Sequence, residues 1–215
     1  METASRGLFI TVEGVEGAGK TTQVALLARR LREAGREVLV VREPGGTPLA
    51  EQARRLVLDP ARDLTAATEL FLMLVARADL VHRVVRPALR AGTTVIADRF
   101  DLSTRAYQIG GRGLPEPAVV AANALATDGL APDLVVVLDV PLEVGRARQA
   151  SAGKARDRME LADEAFHRRV AEAFRGASGP GIVHVEADRP ADAVQAALWT
   201  ELAGRFPDTF RAAAV

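Results

Sequence analysis

Gly14-Val15-Glu16-Gly17-Ala18-Gly19-Lys20-Thr21 is the stretch that decides how this chain folds. It fits G-x-x-x-x-G-K-[ST] and stands in the context that motif requires, behind an apolar run (Leu8-Phe9-Ile10-Thr11-Val12) and ahead of a helical pattern. Its glycines let successive backbone N–H groups face one anion, and the helix N-terminus that follows adds donors and partial positive charge. The run from Gly14 to Thr22 is therefore a candidate nucleotide-phosphate site. Lys20 is expected at the β- and γ-phosphates and the Thr21 hydroxyl on Mg²⁺. Composition sharpens the point. The chain has two lysines, Lys20 and Lys154, against 26 arginines. It keeps a lysine where a compact point charge must enter a tight loop.

Outward from the loop, short apolar runs alternate with longer helical ones. Val38–Val41, Thr93–Ala97, Leu134–Leu138 and Ile182–Val185 read as further strands. Helical spacing covers Thr21–Ala34, Leu49–Leu58, Thr65–Ala91, Pro117–Ala126, Leu142–Ala150, Asp163–Phe174 and Ala191–Phe206, with Pro87 expected to kink or shorten the third. Near-continuous apolar strands separated by helices predict an α/β fold, a parallel sheet covered on both faces. Residues 1–206 are expected to form one domain and residues 207–215 an Ala-rich, frayed tail. Ligands of such sheets bind outside the carboxyl ends of the strands. There the unusual residues gather, in Glu13–Thr22, Arg42–Thr47 and Asp98–Gln108.

Composition narrows the function classes. The 215 residues carry 28 Lys+Arg and 28 Asp+Glu, so there is no basic excess of the kind a general nucleic-acid binder shows. Cysteine is absent, which excludes disulfides, thiolate nucleophiles and sulfur-ligated zinc. The histidines, His82, His167 and His184, are too far apart for a helical metal pair. No apolar run is long enough to span a bilayer, and the short polar start, Met1–Gly7, is not a leader, so a cytoplasmic protein without membrane partners is expected.

A phosphate cradle serves nucleotide switches, ATP-driven modules and small-molecule kinases alike. A guanine reader of the Asn-Lys-x-Asp or Thr-Lys-x-Asp type is missing, because the sole asparagine, Asn123, precedes alanine. A transporter-type LSGGQ signature is missing too. A kinase needs a second anion site, and two further motifs offer one: Arg42-Glu43-Pro44-Gly45-Gly46-Thr47 and Asp98-Arg99-Phe100-Asp101-Leu102-Ser103-Thr104-Arg105-Ala106-Tyr107-Gln108. Together with Val12-Glu13-Gly14-Val15-Glu16-Gly17, these make the chain resemble the thymidylate kinases, from about Leu8 to Phe206. The resemblance implies a P-loop nucleoside-monophosphate kinase fold, transfer from ATP to dTMP with Mg²⁺ to give dTDP for dTTP synthesis, and a homodimer. A kinase for dUMP or a broader deoxynucleotide set, and a P-loop ATPase acting as an interaction module, are the alternatives.

Arg99, one residue past a strand end, has the geometry to fork onto a phosphate; by resemblance it clamps the dTMP phosphate, and its alternative is an ion pair with Asp98 or Glu43. Asp98 is placed to hold a magnesium-bound water or to orient Arg99. The resemblance further assigns Glu16 to the acceptor sugar, Tyr107 beneath the deoxyribose, Arg77 to the thymine carbonyl, Ser103 and Thr104 to the base edge, and Glu43, Pro44 (as a cis-proline) and Gln108 to the acceptor pocket. Four residues before Arg77 the family has an aromatic ring, and this chain has Met73, which weakens the stacking expected on the base. Phe71 projects about 160° away from Met73 around the helix and is expected in the core.

Arg146, Arg148, Lys154, Arg156 and Arg158 crowd the segment before Glu160. Most are expected to be solvated. Phosphoryl transfer calls for one cation from a closing lid, and no arginine lies between Gly14 and Thr22 to supply it. With Asp157-Arg158-Met159-Glu160 as a D-R-x-E ending, this resembles the bacterial subtype with a short, mobile, basic lid, about residues 146–160. Arg156 is the first choice for the transferring cation on proximity to that motif, with Arg148 and Lys154 also in play. Glu186-Ala187-Asp188-Arg189-Pro190 resembles the stretch that walls the adenine.

Overall fold

The alternation of side-chain direction along the strands decides the layering. The computed structural model describes residues 6–151, 153 and 155–210. β1 (Phe9–Glu13) is buried at every position, so both its faces are covered. Phe9 shares one apolar layer with Val41 of β2 (Val38–Arg42) and with Val95 and Ala97 of β3 (Thr94–Asp98). Ile10 and Val12 face the other layer with Ile96, β4 (Leu134–Asp139) and β5 (Ile182–Glu186). All neighbouring strands are parallel, in the order β2-β3-β1-β4-β5.

The second layer is closed by α1 (Lys20–Glu33) through Val24, Leu27, Ala28 and Leu31, with α8 (Glu164–Arg175) and α9 (Ala191–Arg205) beside it. On the first layer lie Leu80, Val81, Val85 and Leu89, from one long helical run. That run is α3 (Ala66–Leu80), a π-helical turn (Val81–Val85) and α4 (Arg86–Arg90). Pro87 neither ends nor shortens it. The Arg86 N–H reaches back to the Val81 carbonyl, five residues away, and this widened turn takes up a proline that lacks an N–H and crowds the preceding turn. Side-chain caps begin α2 (Pro48–Leu58) at Thr47, α3 at Thr65 and α8 at Asp163.

Three expectations need correction. Helix also forms over α5 (Asp101–Thr104) and a π segment (Arg105–Gly111), ahead of α6 (Glu116–Thr127), where the periodicity announced none. Phe71 is not core but 61% exposed: α3 turns Leu70 and Leu74 toward Val119 of α6, and Phe71 and Val75 lie outside that face. The chain after Phe206 is not frayed throughout, because Pro207–Phe210 forms α10 and Phe210 is fully buried, edge-on to Trp199 at 5.1 Å.

Register brings the site together. Val12 and Arg42 both lie opposite Asp98, and Glu13 lies opposite Val137, so the strands end level and their loops gather at one edge.

Candidate active site

One cleft of about 630 Å³ opens at that edge, within the range of small-molecule sites. Glu16, Gly17, Gly19, Lys20, Thr21 and Thr22 line one end. Val15 and Ala18 point into the core, so only their backbone can serve a ligand, and Gly14 likewise contributes main chain. Gly17 has φ 74°, and a Cβ there would lie 2.1 Å from the Gly145 carbonyl of α7 (Leu142–Ser151). Only glycine fits this contact between phosphate loop and helix. The Lys20 ammonium is buried and donates to the carbonyls of Gly14 (3.1 Å) and Val15 (2.8 Å). Burial and the Arg99 charge hold its pKa down to about 8.

Arg99 occupies the centre. Its backbone is left-handed, φ 75°, a strain of about 1–2 kcal/mol for a residue with a Cβ. Nη1 donates to the Gly14 carbonyl (3.1 Å) and Ser103 Oγ (2.9 Å), and Nη2 donates to Glu16 and to Tyr107 Oη (3.3 Å). Its ion-pair partner is thus Glu16, not Asp98 or Glu43. A carboxylate in a phosphate loop would repel a polyphosphate, and this pairing offsets its charge. Burial would raise the Glu16 pKa, yet Arg99 and Lys20 pull it down to about 2. Burial works against the Arg99 charge as well, and Glu16, Tyr107 and Glu13 together hold it above the ordinary arginine range. Tyr107 is both a core aromatic, edge-on to Phe174 at 6.0 Å, and a hydroxyl in the cleft, donating to Glu16 at 3.4 Å.

Thr21 Oγ1 donates to Asp98 Oδ2 at 2.6 Å, which unites the two residues expected on Mg²⁺. One hydroxyl and one carboxylate suit this ion, which takes few protein oxygens and fills its octahedron with water and phosphate.

The other end of the cleft is lined by Glu43, Pro44, Met73, Arg77, Ser103, Thr104 and Gln108. The Glu43–Pro44 peptide bond is cis. Arg77 is buried, and each of its three nitrogens has a protein acceptor. Nε and Nη2 meet Glu43 (2.7 and 2.6 Å), Nη2 also donates to the Phe100 carbonyl (2.9 Å), and Nη1 donates to Thr104 Oγ1 (2.8 Å) and Asn123 Oδ1 (2.6 Å). Burial keeps the Glu43 pKa raised despite that partner.

The lid residues divide. Arg148 lines the cleft and reaches the carbonyls of Ala187 (3.1 Å) and Gly17 (3.5 Å), joining the phosphate loop to the turn after β5. Arg156 is exposed, donates to the Glu160 carbonyl and does not line the cleft. Lys154 lies outside the described residues. Arg158 is structural, donating to Val57 O (2.9 Å) and Glu69 Oε2 (2.7 Å).

Sequence reasoning missed three groups here. Glu69, fully buried, also accepts from Gln108 (2.8 Å) and Arg112 (2.8 Å); burial raises its pKa, but these donors pull it below the usual carboxylate range. Its spacing was a signal, since Glu69, Met73 and Arg77 recur every four residues on one face of α3. Arg54 lines the cleft and donates to the Pro44 carbonyl at 2.8 Å. Glu13 is fully buried; burial pushes its pKa to about 7 against the pull of Arg99 and the Ser103 and Phe100 hydrogen bonds.

Comparison with known proteins agrees with this geometry. The family model described as thymidylate kinase matches residues 12–198. A thymidylate kinase of Deinococcus radiodurans is 47% identical over 204 residues, covering 94% of this chain and 98% of that protein. One of Pseudomonas fluorescens is 48% identical over 196 residues, covering 89% and 93%. One of Geotalea uraniireducens is 50% identical over 174 residues, covering 78% and 82%. A phosphate-loop sequence at the mouth of a cleft, a family model matched over most of the chain and relatives covered over most of their length place the chain in the thymidylate kinase family.

Proposed function

We propose that this chain transfers the γ-phosphoryl group of ATP to dTMP, giving ADP and dTDP on the route to dTTP. The observation that carries the reading is that one cleft is lined by Lys20 and Thr21, by Arg99 and by Met73 and Gln108 together. The acceptor is a phosphate oxygen already ionised at neutral pH, so no general base is required. That oxygen attacks the γ-phosphorus in line, and the bond to the β,γ-bridging oxygen breaks as ADP leaves. Lys20 and Arg99 stabilise the charge spread over the transferring group, and Arg148, within reach of the Gly17 carbonyl, is the lid-side cation best placed to join them. Tyr107, Glu16 and the pocket from Glu43 to Gln108 position the acceptor. Thr21 and Asp98 would hold Mg²⁺, which when bound would neutralise charge on the ATP phosphates. Residues 1–206, with α10 packed against them, act as one catalytic unit with the lid at about 146–160, working as a homodimer in the cytoplasm. The exposed apolar side chains Phe71 and Val75 on α3 and Val120 on α6 support a dimer face.

The test is ADP formation from ATP with a panel of monophosphate acceptors. Turnover that requires an acceptor and is fastest with dTMP is expected. Preference for dUMP would move the activity to another nucleoside monophosphate. Acceptor-independent turnover would leave only a P-loop ATPase.

A further inference from the structure

We propose that Glu13 is a positioning residue that holds the Arg99 guanidinium in place through the Ser103 hydroxyl and the Phe100 and Ser103 amides. The inference rests on the transfer role given to Arg99 above. Arg99 is held in a left-handed backbone conformation that a non-glycine residue keeps only where its surroundings over-determine it. On its N-terminal side the sheet does this, the Arg99 N–H donating to the Val12 carbonyl at 3.0 Å. On its C-terminal side the task falls to Glu13. Oε1 accepts from the Phe100 N–H (2.7 Å) and the Ser103 N–H (3.3 Å), and Oε2 accepts from Ser103 Oγ (2.6 Å). Ser103 Oγ in turn accepts from Arg99 Nη1 at 2.9 Å. One carboxylate thus grips the turn that follows Arg99 and, one hydrogen bond further on, its side chain.

Glu13 does not line the cleft and is fully buried on the Phe9 side of β1, so its contacts with the site run through these partners, while its charge also favours the Arg99 cation. The parts also fit chemically. Ionised, as it is above about pH 7, the carboxylate accepts from all three donors at once and obliges the Ser103 hydroxyl to point its proton at Glu13, leaving an oxygen lone pair for the guanidinium, so the kinetics that probe it belong at pH 8. Glutamine at the same position presents an NH₂ to one of those donors, and the Ser103 hydroxyl turns.

A double-mutant cycle tests this, on variants first shown to be folded by their thermal transitions. Glu13→Gln alone is expected to lower kcat at least tenfold, with KM for ATP within twofold of the parent. In an Arg99→Ala background the same change is expected to lower kcat no further, because its route of action is gone. A purely structural carboxylate predicts independent, multiplying losses, or a lower melting temperature with kcat intact, and either result overturns the proposal. If Glu13→Gln does not fold, Ser103→Ala replaces it in the cycle with the same expectation, and multiplying losses there overturn the proposal equally. Arg99→Ala alone separates the two levels. If it leaves transfer intact, the reading of Arg99 fails. If it abolishes transfer while the cycle is additive, only the Glu13 inference fails.

Discussion

Gly145→Ala in α7 pits helix propensity against a steric contact. Replacing a helix-interior glycine by alanine ordinarily stabilises by about 0.5–1 kcal/mol. Here the new Cβ would stand 2.5 Å from the Glu16 carbonyl oxygen, where real Cβ contacts stay beyond 3.0 Å. The obstacle is backbone, so the phosphate loop or the helix must retreat by about 0.5 Å. Overpacking of that kind costs about 1–3 kcal/mol, which outweighs the propensity gain and leaves the variant about 1 kcal/mol less stable. The displaced group is the main chain of the residue that pairs with Arg99, next to Gly17. Positioning errors below 1 Å cost up to about 100-fold in catalysis, so a loss of about tenfold in kcat/KM for ATP is expected. Gly204→Ala is the control. That glycine lies in α9 with nothing within 4 Å of its would-be Cβ, so it should gain a few tenths of a kcal/mol. Urea denaturation and steady-state kinetics on both variants decide the matter. A Gly145→Ala protein as stable as Gly204→Ala, with unchanged kcat/KM for ATP, would refute the reasoning.

Arg99→Ala should lower turnover by about 10³-fold or more while ATP affinity, measured by titration, stays within a few-fold; collapse of ATP affinity with saturated turnover intact would contradict the assigned role. Met73→Phe restores a ring over the base and should tighten dTMP binding about fivefold or more, the equivalent of about 1 kcal/mol of stacking; unchanged affinity would remove Met73 from the base site. Glu13 keeps its proton up to about pH 7 when folded but releases it near 4.5 when unfolded. The folded state therefore binds more protons between those values, and this group's contribution to stability falls, by up to about 3 kcal/mol, as pH rises through the window. Denaturation at pH 5 and pH 7.5 should show a steeper decline for the parent than for Glu13→Gln; parallel declines would sink the claim.

What could be read from sequence is what local chemistry controls. Strand ends, the phosphate loop and the turns at Pro44 and Asp98 announce themselves because buried parallel strands are apolar runs and the loops between them must carry glycine, proline and charge. Pairings across the chain are silent in this sense. Glu13 looks like a stray charge at the end of a strand until folding sets it against Phe100 and Ser103. Glu69 sits in an apolar helix, and its arginines, Arg112 and Arg158, are 43 and 89 residues away. Phe71 misled because hydrophobicity says that a side chain seeks cover but not whether its own chain provides it. Proximity in sequence favoured Arg156, whereas reach in space favours Arg148, which extends from α7 back across the phosphate loop.

The two cleft arginines differ in what they are free to give up. The Glu16 side chain that pairs with Arg99 is 37% exposed, so it can turn toward solvent or a ligand hydroxyl when a phosphate arrives. The Glu43 side chain that pairs with Arg77 is 5% exposed and already has an unpartnered oxygen, Oε1. Releasing Arg77 would strand a buried charge, at a cost of about 3–5 kcal/mol. Arg99 can therefore exchange one anion for another during a turnover, as the proposed phosphate clamp must. Arg77 is built to stay. If it reads a base carbonyl, it does so by sharing an N–H already committed to Thr104 or Asn123, without leaving Glu43. On the proposed reading Arg99 stays in place and exchanges its anion while Arg77 keeps its own, with the division drawn by how deeply each partner carboxylate is buried.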